Sequence, residues 1–114
     1  MSALTPFRQS GPTVALIAVT TQQEVAQALS QDAVGNQQYV ITNTGNNPAW
    51  VAMGANANQA LSNAVVPTIQ NSGTNTYPLL NGSQITITGP QNAFFSAVTQ
   101  VSNAPIWITP GYGQ

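Results

Sequence analysis

Short runs of apolar and β-branched residues, separated by turn-forming residues, recur along most of the chain. The first run, Thr13 to Thr20, is continuously apolar between its ends and favours a strand covered on both faces. Later runs at 84–88, 93–101 and 105–110 alternate between two faces, as strands with one buried face do. This pattern of about seven or eight short antiparallel strands predicts an all-β protein with one small β-sandwich, jelly-roll-like or Ig-like, over residues 13–114.

The segment from Gln37 to Gly54 has the strongest local pattern, because two β-rich runs flank a Thr-Gly-Asn-Asn-Pro cluster. This arrangement predicts a hairpin with a two-residue loop at Gly45-Asn46 or Asn46-Asn47. Side chains then alternate between two faces. One face carries Tyr39, Ile41, Trp50 and Ala52, and the other carries Val40, Thr42, Val51 and Met53. Both faces are largely apolar, so we expect one to be covered by the domain itself and the other by a partner.

The segment between the first strand and this hairpin fits either a helix or a strand. Thr21 to Glu24 match a capping box, and apolar residues follow at helical spacing. The same residues as a strand place Val25, Gln27 and Leu29 on one face. We favour a short strand in 21–31, because a helix of about ten residues is marginal by itself.

Residues 1–12 predict an extended N-terminal arm, because Pro6, Gly11 and Pro12 exclude a helix. Such an arm is either a frayed terminus or a segment that docks on a neighbouring subunit. In the second case its candidate contacts are Leu4, Phe7 and Arg8.

The chain from Ala55 to Pro78 is polar and irregular, and no strong helix is predicted in it. One brief β segment is expected at 64–66. A stretch of this length without regular structure is uncommon in a small domain, so it is either a contact loop or a crossover between sheets.

The C-terminal third predicts a turn at 79–83 and a strand at 84–88 whose two isoleucines face inward. In the last strand Trp107 points away from Ile106 and Ile108, and prolines at both ends suit the edge of a sheet. Residues 111–114 are expected to form a flexible tail.

The composition of the chain is unusual in one respect, which is its charge. The 114 residues are 42% hydrophobic, as in ordinary globular proteins, but only 3% are charged, against about 25% in a typical domain. Arg8, Glu24 and Asp32 are the charged residues, and the net charge is −1. Roughly two-fifths of the chain is Asn, Gln, Ser or Thr. A surface with so little charge repels its own copies weakly, so it favours association.

The same composition argues against catalysis and cofactor binding. The chain contains no His, Lys or Cys, which removes the usual groups for acid–base, nucleophilic and thiolate-metal chemistry. The Glu24 and Asp32 carboxylates are the only possible acidic pair, and we interpret them as solvated surface charges. We expect no enzyme activity, no cofactor and no metal centre.

Other partner classes are also constrained. A single basic residue cannot neutralise several phosphates, so nucleic acid is not an expected partner. No apolar run approaches a membrane span, and Met1 to Gln9 lack the pattern of a secretory signal, so we expect cytoplasmic synthesis without export or membrane insertion. Glycan binding stays open, because Trp107, Tyr77 or Tyr112 could offer an aromatic platform beside amide side chains.

From residue 39 onward the chain resembles a known class of proteins. The segments that carry the resemblance are Tyr39 to Gly45, Ala49 to Gly54, Ala64 to Pro67, Tyr77 to Ser83, Phe94 to Thr99 and Ile106 to Gly111. About two-thirds of the chain thereby resembles small all-β structural proteins of tailed bacteriophages. The resemblance implies a β-sandwich that decorates or cements the capsid, or belongs to a fibre or tail.

These expectations combine into one hypothesis. The chain is predicted to be a homo-oligomeric virion protein, a capsid decoration or cement subunit that contacts the major capsid protein and its own copies, with a homotrimer as one arrangement. The candidate interface residues are Leu4, Phe7, Arg8, Trp50, Met53 and Trp107. The alternative hypothesis is a receptor- or glycan-binding module of a phage fibre or tail.

Overall fold

Two antiparallel sheets and one short helix make up the parts of the chain that the computed structural model describes, which are residues 8–20, 24–29, 37–66 and 76–112. The strands are β1 (Arg8–Gln9), β2 (Val14–Ala18), β3 (Val25–Gln27), β4 (Gln37–Asn43), β5 (Ala49–Gly54), β6 (Tyr77–Leu79), β7 (Gln84–Gly89), β8 (Phe94–Val98) and β9 (Ala104–Tyr112). The helix is α1 (Ala57–Asn63). The predicted all-β sandwich is confirmed.

The strands follow jelly-roll topology. β2 pairs with β9, β3 with β8, β4 with β7 and β5 with β6, so the chain is one long antiparallel hairpin with β5 and β6 at its tip. This ribbon is rolled into two sheets. Sheet A has the order β2-β9-β4-β7, with β1 beside β2 on the same edge of β9, and sheet B has the order β3-β8-β5-β6. Of the two predicted sandwich types, the jelly roll is the one that matches this order.

The core lies between the inner faces of the two sheets. Its largest fully buried apolar side chains are Tyr39, Phe95, Ile41, Leu79, Ile106 and Ile108. The rings of Tyr39 and Phe95 meet edge to face with centroids 5.0 Å apart, a geometry that aromatic pairs favour. The Tyr39 hydroxyl donates to the Pro90 carbonyl oxygen and accepts from the Ala93 N–H at 3.1 Å. Tyr39 thereby fixes the turn that joins β7 to β8.

The predicted hairpin at 37–54 is wrong, because β4 and β5 belong to different sheets. Asn43, which is fully buried, explains the difference. Its side-chain oxygen accepts from the Gly45 N–H at 2.9 Å, and its amide donates to the carbonyl oxygens of Asn47 at 2.8 Å and Leu79 at 3.1 Å. Side-chain bonds of this kind stabilise a turn of their own. The Gly-Asn-Asn segment therefore forms an arch between the sheets.

Residues 55–66 were predicted to be irregular apart from one short strand, but they contain a helix. Residues 57–63 form α1, whose N-cap is Asn56. The Asn56 side chain accepts from the Gln59 N–H at 2.9 Å, and the Gln59 side chain accepts from the Ala55 N–H at 2.8 Å. This exchange closely resembles a capping box, which the Asn-x-x-Gln spacing signals. The brief strand expected at 64–66 is absent, and residues 67–75 lie outside the described residues.

The first two strand predictions are partly confirmed. β2 forms within Thr13–Thr20, but its outer face is open, with Ile17 46% exposed. β3 forms within 21–31, as favoured, and residues 30–36 lie outside the described residues. The alternation predicted for β7 is confirmed, because Ile85 and Ile87 pack against the core.

The prediction that the last strand lies at the edge of a sheet is wrong. β9 is central, with β4 on one side and β1 and β2 on the other. Its prolines are tolerated because each lies where a neighbouring strand is interrupted: Pro105 lies just beyond the last β4–β9 pair, and Pro110 faces the break between β1 and β2. Gly111 and Tyr112 are not a free tail but pair with Gln9 and Arg8. Residues 8 and 9 of the predicted arm therefore belong to sheet A.

Candidate interaction surface

The two outer faces of the sandwich differ in how far other elements cover them. Helix α1 packs across the outer face of sheet B and contacts β5, β8 and β3. Ala52 and Ser96 on that face are consequently fully buried, although they point away from the core. The α1 backbone comes so close that a Cβ atom on Gly54 would lie 2.6 Å from the Ala60 nitrogen. No described element covers the outer face of sheet A in this way.

An apolar cluster occupies one end of the outer face of sheet A. Ala15 on β2 pairs with Trp107 on β9, and Ile17 pairs with Pro105. Directly paired residues on one face lie within side-chain contact, and diagonal neighbours are within reach of large side chains. Ala15, Ile17, Pro105 and Trp107 are called the Trp107 patch below. Its two large members are about half exposed, Trp107 by 51% and Ile17 by 46%.

Strand alternation determines the orientation of Trp107. Its neighbours Ile106 and Ile108 are fully buried in the core, so Trp107 must point to the opposite face. This orientation is the one predicted from the sequence. Ile17 was not predicted to be exposed, since the β2 run was expected to be covered on both faces. The exposure of Ile17 could have been predicted from strand alternation, because Ile17 lies between Leu16 and Ala18, the two buried residues of the strand.

Apart from the half-buried Val40, the rest of this face is polar and uncharged. The Gln84 amide donates to the Thr42 hydroxyl at 3.0 Å, and the hydroxyls of Thr13 and Thr109 are 2.7 Å apart. Thr42 pairs directly with Trp107, so the indole is next to a hydrogen-bonded hydroxyl. Thr86 and Thr88 of β7 are exposed on the same face. The face therefore joins an apolar patch to a neutral hydrogen-bonding surface.

Trp50 and Met53, two of the other predicted interface residues, do not join this surface. Trp50 is half-buried on the outer face of sheet B, between Val98 and Pro78. Met53 packs against the core, and a Cβ atom on Gly89 would collide with its sulfur. Met53 is thus a packing residue that bridges the two sheets. Trp50 and Met53 lie on opposite faces of β5, as predicted.

The predicted arm contacts are only partly within the described residues. Arg8 is exposed in β1, where it pairs with Tyr112. Leu4 and Phe7 lie outside the described residues, and docking of that part of the arm on a neighbouring subunit stays a prediction. Of the aromatic platform candidates, Trp107 is on sheet A and Tyr77 on sheet B, so the structure does not bring them together.

Ionisable groups are sparse on the described surface. The Glu24 carboxylate accepts from the Ile17 N–H at 3.1 Å, which occupies a backbone donor on the open edge of β2. Asp32 lies outside the described residues. Burial raises the pKa of the Tyr39 hydroxyl, and backbone hydrogen bonds at Ala93 and Asn92 oppose part of that rise.

The described residues were compared with the requirements of a metal site, and one cleft lies among them. Within the described ranges, no three acidic, His or Cys side chains cluster as metal ligands would. A shallow cleft of about 270 Å³ is lined by Met53, Gly54, Ala55, Gln59 and Pro90, none of which is ionisable. Typical small-molecule pockets are larger and contain convergent polar groups. Among the described helices, none is long and apolar enough to cross a bilayer.

Comparison with protein-family models, with curated proteins and with solved structures finds no match to this chain.

Proposed function

We propose that this chain is a structural protein of a bacteriophage particle, a capsid decoration or cement subunit that binds the major capsid protein and its own copies. The observation that carries the proposal is the open outer face of sheet A, where Trp107 and Ile17 are half exposed beside a neutral polar surface. Contiguous exposed apolar patches that are rimmed by polar residues mark interaction sites.

The contact energy expected from this patch is modest. A tryptophan buries about 150–250 Å² when fully covered, so covering the exposed half removes about 100 Å² from water. At about 25 cal/mol per Å², Trp107 contributes about 2.5 kcal/mol and Ile17 somewhat less. Association itself costs about 4–15 kcal/mol, so one patch binds weakly by itself. Attachment at many equivalent sites, with contacts between neighbouring copies, overcomes this cost through effective concentration.

The low charge of the chain supports the same function. Charged side chains at a buried interface require partners, since an unpaired buried charge is strongly destabilising. Thr, Gln and Asn make hydrogen bonds without that requirement. The jelly-roll topology agrees with the proposal by analogy alone, because viral capsid proteins and lectins both use it.

A glycan-binding module of a fibre or tail is the second candidate. The observation that favours it is the Trp107 ring beside the Thr42 hydroxyl and the Gln84 amide, because sugar rings stack on aromatic faces while their hydroxyls bind amides. The two functions share Trp107 but differ in partner. Glycan-array binding that is lost in Trp107→Ser would favour this candidate over capsid attachment.

The test of the proposed function uses particles assembled without the chain. Purified wild-type protein is added to such particles, and bound protein is measured by co-sedimentation. Trp107→Ser is expected to weaken attachment by about 60-fold, since it removes about 2.5 kcal/mol of burial. Tyr77→Ser is the matched control, because Tyr77 is an exposed aromatic residue on sheet B. Absence of wild-type binding, or equal binding by Trp107→Ser, would contradict the proposal.

A further inference from the structure

The sheet edges in the described part of the chain are not equally protected. At the β1 and β2 edge of sheet A, the Ile17 N–H already donates to Glu24. In sheet B the edge strands β3 and β6 have three residues each, and β6 contains Pro78. Strand β7 is different, because it has six residues and no charge, proline or bulge. Natural proteins usually protect a long edge strand with one of these devices.

The hydrogen bonds next to β7 identify which of its backbone groups point outward. The Asn43 N–H donates to the Ser83 carbonyl oxygen at 3.0 Å, so the Ser83 carbonyl group points toward β4. Backbone direction alternates along a strand, and Ile85 and Ile87 therefore also bond toward β4. The N–H and C=O groups of Gln84, Thr86 and Thr88 point away from the sheet. No described strand pairs with them.

We propose that β7 pairs antiparallel with β7 of a second copy of this chain, about a two-fold axis at Thr86. In this register Thr86 faces its own copy, and Gln84 faces Thr88. Each of these outward pairs exchanges two hydrogen bonds, so the junction forms about six. The arrangement is strand addition at an exposed edge, with identical surfaces contributed by both partners.

A second copy is the partner that β7 fits, because the strand is complementary to itself. The register places Ile85 opposite Ile87 on the core side. On the outer side it places Thr86 opposite its own copy, a pair that can hydrogen-bond, and Gln84 opposite Thr88. Ile85 and Ile87 are only half-buried at this end of the core, so the isoleucines of the copy complete their burial. No β7 side chain is charged, and the two strands therefore meet without like-charge repulsion.

The pairing joins sheet A of both copies into one continuous sheet. Because the two-fold axis is perpendicular to that sheet, both Trp107 patches lie on the same side of the dimer. A dimer with two Trp107 patches on one side binds a particle surface more tightly than one patch does. This consequence rests on the proposed function. The β7 pairing itself requires nothing of Trp107. The proposed solution unit is a dimer, which differs from the homotrimer named above as one arrangement of a homo-oligomer.

Amide hydrogen exchange measured by NMR on the full chain tests the pairing residue by residue. In the dimer, the Thr86 and Thr88 amides become protected as protein concentration rises, while the Ile85 and Ile87 amides are protected at every concentration. Analytical ultracentrifugation of the same samples gives the mass of the species. Wild-type protein that is a monomer at about 0.5 mM, or a trimer, overturns the proposal.

Two substitutions at Thr86, the residue that pairs with its own copy, test the β7 edge separately from the Trp107 patch. Thr86→Pro removes only an outward N–H, which edge strands tolerate, and Thr86→Lys places like charges opposite each other. Each is expected to weaken dimerisation by at least about 30-fold, through two lost hydrogen bonds or through repulsion. Gln100→Lys is the control, because it adds the same charge at an exposed bend away from β7.

The outcomes separate this proposal from the proposed function. If Trp107→Ser remains a dimer but does not attach to particles, both proposals hold. If Thr86→Lys and Thr86→Pro fold and remain dimers, the β7 pairing is wrong whatever the particle assay shows. If wild type dimerises through β7 but does not attach to particles, only the proposed function fails.

Discussion

Substitution of Asn43 by alanine tests the feature that separates the two sheets. The Asn43 side chain bonds the arch residues Gly45 and Asn47, and it also reaches Leu79 in the other sheet. Alanine removes all three hydrogen bonds at a position that is fully buried. We expect Asn43→Ala to be the most destabilising single substitution in the arch.

The magnitude follows from these contacts. Each hydrogen bond contributes about 0.5–1.5 kcal/mol net, and a buried partner left without a hydrogen bond costs about 1–3 kcal/mol. The Leu79 carbonyl bond is buried, whereas the other two are partly buried, where water can replace the amide. The expected loss in the free energy of unfolding is therefore about 2–4 kcal/mol. At about 4 °C per kcal/mol, this corresponds to a fall in Tm of about 8–16 °C.

Urea unfolding followed by tryptophan fluorescence and circular dichroism measures the loss. Asn46→Ala is the matched control, because Asn46 is an exposed asparagine in the same arch. It is expected to change stability by less than about 0.5 kcal/mol. If Asn43→Ala is as stable as Asn46→Ala, Asn43 does not stabilise the arch and the explanation for the missing hairpin is wrong.

Two further predictions concern the core. Tyr39→Phe leaves Pro90 and Ala93 without their partner and is expected to cost about 1–3 kcal/mol in urea unfolding. The pKa of Tyr39 is raised in the folded state, so the neutral hydroxyl favours folding. Above a pH of about 10 the tyrosine ionises first in the unfolded chain, and the stability of the wild type should fall. The stability of Tyr39→Phe should fall less over the same pH range. An alkaline decline equal in both proteins would refute this. Gly54→Ala forces a Cβ atom against the α1 backbone and should cost about 1–3 kcal/mol, whereas Gly89→Ala meets the flexible end of Met53 and should cost less; equal thermal stability of the two variants would contradict the packing described.

The local features of the strands could be predicted from the sequence. Alternation alone placed Ile85 and Ile87 toward the core and Trp107 away from it, because a strand has a two-residue period. The N-cap of α1 was also encoded, as Asn56 and Gln59 have capping-box spacing, but the helix is short and was read as irregular chain.

The pairing of strands could not be predicted in the same way. Gly and Asn residues suit both a hairpin and an Asx-type arch, and the choice at Asn43 depends on Leu79, 36 residues later in the chain. Likewise Pro105 and Pro110 indicate an edge strand locally. Both are tolerated in the central β9 for reasons outside the strand. The pairing with β4 ends next to Pro105, and the break between β1 and β2 lies opposite Pro110. Which sheet face stays open depends on where α1 packs, and this is a property of the whole fold.

A repeated component of a capsid surface must be present in many copies, so the copy number of the chain in purified particles is the decisive test of the proposed function. Quantitative mass spectrometry of gradient-purified particles, with the major capsid protein as the internal standard, gives this number. The proposed function predicts hundreds of copies per particle. A handful of copies, or none, would contradict it.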